Sequence, residues 1–166
     1  PAFLWFSTRL FASIRTARAA GATGKILVRG DCAYGTTPVV AACVKAGAQS
    51  SVVLVRNPAV TRAITAIPDD AWTPVRYPGA VLDPDTGQLI SDAEVADTVF
   101  TAFASNKHPV TARLVMRRVR DQTKLDELFP VWRYHPFLTN SDEPTADADI
   151  THRRHAIIET VFADLI

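Results

Sequence analysis

Asp31 and Glu159 are the residues of this chain whose type and setting best suit chemistry. Asp31 directly follows a short apolar run, at the carboxyl end of a predicted strand, where open α/β sheets bind ligands. The same place is common for a turn residue or a helix cap. Arg29-Gly30-Asp31 also imitates an adhesion tripeptide, but here it abuts a strand. Glu159 lies between apolar positions of a predicted last helix, where a carboxylate is costly unless paired or bound to a cation. His155 stands four residues before it and His152 seven before, so all three project along one helix face. That spacing offers two imidazoles and a carboxylate to zinc, yet it does not match the helical metalloprotease pattern, in which the histidines stand four apart. Alternatively Glu159 is an oxygen ligand for magnesium, with the neighbouring His and Arg side chains facing phosphate, or the helix is simply a solvated face. The clusters Arg113, Arg117, Arg118, Arg120 and Arg153, Arg154 leave the same choice open between a solvated face and phosphate contacts.

The elements that must position these residues begin with an amphipathic helix. Phe3, Phe6, Leu10, Ile14 and Ala17 recur at helical spacing, and Gly21 and Gly24 end the pattern. Lys25 to Val28 reads as a strand buried on both faces, broken by Gly30-Asp31 and Tyr34-Gly35. Thr37-Pro38 opens a second helix with Val39, Val40, Cys43 and Val44 inward, Gly47 ends it, and Ser51 to Val55 is the next buried strand. This alternation predicts an α/β fold with parallel neighbours.

After Arg56 prolines punctuate the chain, and strands are predicted at Trp72 to Tyr77, Val95 to Phe103, Val110 to Val119 and Pro130 to Leu138. In the third of these Thr111, Arg113, Val115, Arg117 and Val119 share one face, while Leu114 and Met116 share the other. Ala93 to Ala104 fits a helix as well, but its Val, Thr and Phe content favours strand. Asn140 to Asp149 reads as a polar linker, and Ile150 to Ile166 as the final helix.

Composition sets the limits. The apolar share, 48%, suffices for an interior in one ordinary domain or one core with an insertion. No run approaches the roughly 18 apolar residues of a membrane span, and the opening residues do not form a secretory signal. Cys32 and Cys43 do not make a disulfide framework; Cys43 reads as a small buried hydrophobe, and a reducing cytoplasm is the expected setting. Without an initiating Met, and with Val161 to Ile166 ending mid-pattern, the sequence is expected to be a piece of a longer protein.

The run Lys25-Ile26-Leu27-Val28-Arg29-Gly30-Asp31-Cys32-Ala33-Tyr34-Gly35 resembles the second-aspartate motif of DDE insertion-sequence transposases. The order that follows is also similar to that family: a long β-rich stretch, a strand Trp132 to Asn140 ending in Thr-Asn, then an acidic helix. The resemblance covers nearly the whole chain. It implies an RNase H-like α/β fold, incomplete here, with an inserted β-rich subdomain. Residues 1–57 would be partial core, 58–140 the insertion, and 141–166 the return to the core.

The family's helix carries Tyr, two residues, Arg, three residues, Glu, six residues, Lys. By that spacing Glu159 matches the glutamate, His152 the tyrosine, His155 the arginine and Ile166 the lysine, so three of the four signature positions depart. The implied activity is nicking and joining of DNA strands. Asp31 and Glu159 would be the catalytic metal ligands for two Mg²⁺ ions about 3.5–4 Å apart, with Mn²⁺ as a substitute. Arg153, Arg154, His152 and His155 would face the DNA of transposon ends and target, and a homodimeric active complex is compatible with that role. The family's first aspartate belongs to a strand upstream of Pro1; nothing between Phe3 and Gly24 is Asp or Glu, so the fragment alone is expected to be inactive. The rival expectations are an RNase H-like nuclease that releases its products, and an inactive remnant or DNA-binding module.

Overall fold

The computed structural model describes residues 2–75, 84–85, 87, 93–121 and 128–154. They fold as mixed α/β, with one six-stranded sheet between helices on both faces. Helix α1 (Ala2–Ala19) leads into β1 (Leu27–Gly30), α2 (Thr37–Lys45) and β2 (Gln49–Val53). Then come α3 (Pro58–Thr65), β3 (Thr73–Val75), β4 (Ala93–Ala102), β5 (Val110–Arg120), β6 (Trp132–Thr139) and α4 (Thr145–Arg153). The sheet order is β1-β2-β6-β5-β4-β3. β1 and β2 are parallel, as the strand–helix–strand alternation requires. All other pairings among the described residues are antiparallel, so the stretch read as β-rich adds four strands to the same sheet, entering through β6 beside β2.

Alternation along the strands sorts the two faces. On one, Val52, Leu138, Leu114, Met116 and Ala96 meet Val40 of α2 and Val60 and Ile64 of α3 in the main core. α1 packs at the edge of this layer, with Ile14 against Cys43 of α2. Burial pushes the Cys43 thiol up to about 11, so it behaves as the expected small hydrophobe. The other face is covered by α4, whose Ala146 packs on Val75, Ala93 and Val95. In β5, Leu114 and Met116 indeed oppose Arg113 and Arg117, and Ala93–Ala102 is a strand, as its composition favoured.

Several expectations need correction. The first strand is Leu27–Gly30, half-buried for most of its length, because among the described residues it is the edge strand, with β2 on one side. Val44 is exposed and Ala42 buried in its place: with about 100° per residue, position 44 falls outside the stripe shared by Val39 and Cys43. The second strand begins at Gln49, and Val55 is exposed beyond its end. The β-rich stretch opens with a helix, α3. Asn57 caps it by accepting from the amides of Ala59 and Val60 (2.9 and 3.0 Å), and Pro58 takes the first turn. The predicted linker ends early, since α4 starts at Thr145. Arg113 orders that segment, its guanidinium donating to the carbonyls of Ser141 (2.9 Å) and Glu143 (2.7 Å) and to the Thr145 hydroxyl (3.1 Å). Gln49 of β2, donating to Asp142 (3.1 Å), and Asp97 of β4, accepting from Thr145, tie the same polar segment to the sheet.

Candidate functional site

Asp31 lies at the carboxyl end of β1 in a tight turn that two glycines make possible. A Cβ on buried Gly30 would come within 2.8 Å of the Tyr34 Cβ, and one on Gly35 would overlap the Val53 carbonyl oxygen. The loop therefore packs directly on the end of β2, an approach open to glycine alone. Within it the Asp31 carbonyl accepts from the Tyr34 amide (3.1 Å), and Asp31 Oδ1 accepts from the Ala33 amide (2.9 Å). The turn role and an exposed carboxylate thus coexist in one residue.

The end of α4 comes to the same two strands. Arg29, two residues before Asp31, donates from Nη1 to the Thr151 carbonyl at 2.7 Å. Ser51 Oγ lies 2.8 Å from His152 Nδ1, and the His152 ring stacks on Phe137 with centroids 4.1 Å apart and planes 2° from parallel. Of the residues expected to face DNA, His152 therefore packs into the seam between helix and sheet. Arg153 donates from Nε to Asp149 at 2.8 Å, and Arg154 is exposed. His155 and Glu159 lie outside the described residues.

Asp149 is the polar centre of this seam. It is 1% exposed, paired with Arg153 and lying 3.9 Å from Arg117 Nε of β5. Two guanidinium groups offset the cost of burying that carboxylate. His135, opposite Arg117 in the β5–β6 register, has its pKa lowered first by desolvation and then by the Arg117 charge, with Asp149 pulling the other way.

The β5 arginines do not form the common face that their clustering suggests. Alternation sends Arg113 and Arg117 to the α4 side and Arg118 to the opposite side. There Arg118 sits between the rings of Trp72 (4.3 Å) and Trp132 (4.5 Å) and pairs with Glu94 at 2.5 Å. These are packing residues with charged ends.

Asp31 supplies a hard oxygen donor of the kind Mg²⁺ prefers. Among the described residues no group of three or more His, Cys, Asp and Glu side chains could hold a metal ion. A metal at Asp31 would thus draw further ligands from elsewhere in the protein and from water. Among the described residues no helix is long and apolar enough to cross a membrane. Comparison with protein-family models and with curated proteins finds no match. Sequence reasoning missed Arg29, Ser51 and Asp149. Asp149 carried a signal, an acidic residue four before Arg153 on one helix face. Arg29 and Ser51 carried none.

Proposed function

We propose that this chain is part of the RNase H-like catalytic region of an insertion-sequence DNA transposase, with residues 58–140 as its inserted β-rich segment. The observation that carries the reading is the return of α4 to β1. An aspartate ends the first of two parallel strands, an antiparallel stretch intervenes, and the helix that leads toward Glu159 ends against Arg29 and Ser51. That order is what the resemblance implies, and the meeting of α4 with β1 and β2 supports it.

In this reading Asp31 and Glu159 hold two Mg²⁺ ions, which supply charge stabilisation for phosphoryl transfer. Asp31 contributes a carboxylate whose loop is fixed by Gly30 and Gly35. Arg154, exposed beside the last described turn, neutralises a backbone phosphate and gives salt-dependent, largely sequence-independent affinity. The partner is DNA, at transposon ends and target, within the cytoplasm.

The test is a Mg²⁺-dependent nicking assay beside a gel-shift assay, on the protein carrying this sequence together with its upstream aspartate segment. Asp31→Asn should abolish nicking while DNA binding stays nearly intact, because the carboxylate serves the metals and the arginine serves the phosphate. Full nicking by the variant would refute the assignment. Nicking without strand joining would make the protein a nuclease, and binding without nicking a DNA-binding remnant.

A further inference from the structure

Across the face covered by α4, five residues form one row through the register: Arg29, Ser51, Thr139, Arg113 and Val99. The helix lies along this row with its first residue, Thr145, held by Arg113 and its last turn held by Arg29 and Ser51. The two ends are held differently. At the start, Arg113 binds carbonyls and a hydroxyl of the polar approach segment. At the far end, consecutive residues Thr151 and His152 are held from three neighbouring strands: Arg29 on β1, Ser51 on β2 and Phe137 on β6.

We propose that Arg29, Ser51 and His152 act as a positioning clamp that sets where α4 ends relative to Asp31. The proposal rests on the transposase reading. The guanidinium of Arg29 on the Thr151 oxygen sets a positive charge at the carboxyl end of α4, where it is favourable to the helix dipole. Ser51 is 3% exposed and Phe137 2%, so the hydrogen bond and the ring stack lie where water does not compete. One ring nitrogen and one ring face of His152 are already used. Arg29 reaches Thr151 from the strand that leads into Asp31, so a shift of the helix end changes its relation to that carboxylate directly. Functional constellations must be held within about 0.5 Å, which a helix end on a single hydrogen bond would not secure.

The experiment uses the same extended protein with nitroxide labels at exposed Cys32, next to Asp31, and at Arg154→Cys. Cys43 is buried, so within this sequence labelling is confined to those two sites, and any exposed cysteine of the upstream segment is replaced by Ser. Arg29→Met, Ser51→Ala and His152→Phe are compared with the labelled parent, the last keeping the ring stack while losing the hydrogen bond. The expected result is a broadened label-to-label distance distribution in each variant. In unlabelled protein the Mg²⁺ concentration for half-maximal nicking should rise about tenfold, as when a group supporting a metal ligand is lost, with DNA affinity unchanged. If Arg29→Met or Ser51→Ala unfolds, His152→Phe carries the test. Distributions that stay as narrow as the parent's would overturn the clamp, whatever happens to nicking. Broadening with an unchanged Mg²⁺ requirement would overturn its positioning role. Broadening in the variants of a parent protein that itself never nicks DNA would leave the clamp standing as structure and reject the transposase reading.

Discussion

Replacing Asp149 by Ala tests the account of how α4 is held. The carboxylate side chain is 2% exposed, and its two partners, Arg117 and Arg153, are 12% and 15% exposed. Removing one member of a buried ion pair costs about 3–5 kcal/mol, because the charge left behind stays desolvated. Here both guanidinium groups keep slight access to water, and Arg117 stands at 3.9 Å, beyond hydrogen-bond distance. The loss should therefore sit near the lower bound, about 3 kcal/mol. For a chain of this length that lowers the thermal midpoint by about 6–12 °C. Thermal and urea unfolding followed by circular dichroism would measure it. The exposed Lys25–Asp142 pair is the control: its 2.7 Å separation is as short, but both side chains are more than two-thirds exposed, so Asp142→Ala should leave stability unchanged. Replacing Asp149, Arg117 and Arg153 together by apolar residues of similar volume should recover much of the loss. A cost below about 1 kcal/mol for Asp149→Ala, the range of a surface pair, would refute the reasoning.

Two further outcomes are expected. His135 has a depressed pKa in the folded protein, so the unfolded chain binds its proton first. Its contribution is complete above the ordinary value of 6.5 and is lost as the pH falls through the depressed one. An NMR titration should show the low value, and Asp149→Ala should lower it further by removing the one raising influence, so an upward shift would contradict the assignment. Gly35→Ala should cost about 1–3 kcal/mol in urea unfolding, as overpacking does, because its Cβ would overlap the Val53 carbonyl. Gly24→Ala, which meets nothing within 4 Å, serves as the comparison, and equal stability for the two would reject the close approach at Gly35.

Local periodicity carried much of the architecture. The spacing of Phe6, Leu10 and Ile14 marked α1, and Thr37-Pro38 with the Val39–Cys43 stripe marked α2. Alternation in β5 separated Leu114 and Met116 from Arg113 and Arg117 without reference to any partner strand. α3 was legible too, in Asn57-Pro58 followed by Val60 and Ile64, but the prolines around it masked the signal. Asp31 at a strand end and Gly35 behind it were readable as types, since a tight turn needs them whatever it packs on.

Tertiary structure decided what those types do. That β6 enters beside β2, setting Ser51 opposite Thr139, is visible in neither strand alone. The fates of the arginines were decided at the same long range. Arg29 finds the Thr151 carbonyl 122 residues away, and Arg113 finds those of Ser141 and Glu143. Arg118 is enclosed by Trp72, just before β3, and by Trp132 at the start of β6. Strand and helix periods are properties of neighbours two to four residues apart, so a sequence displays them directly. Which distant group satisfies a buried charge depends on sheet order and register, and these are set when the whole core packs.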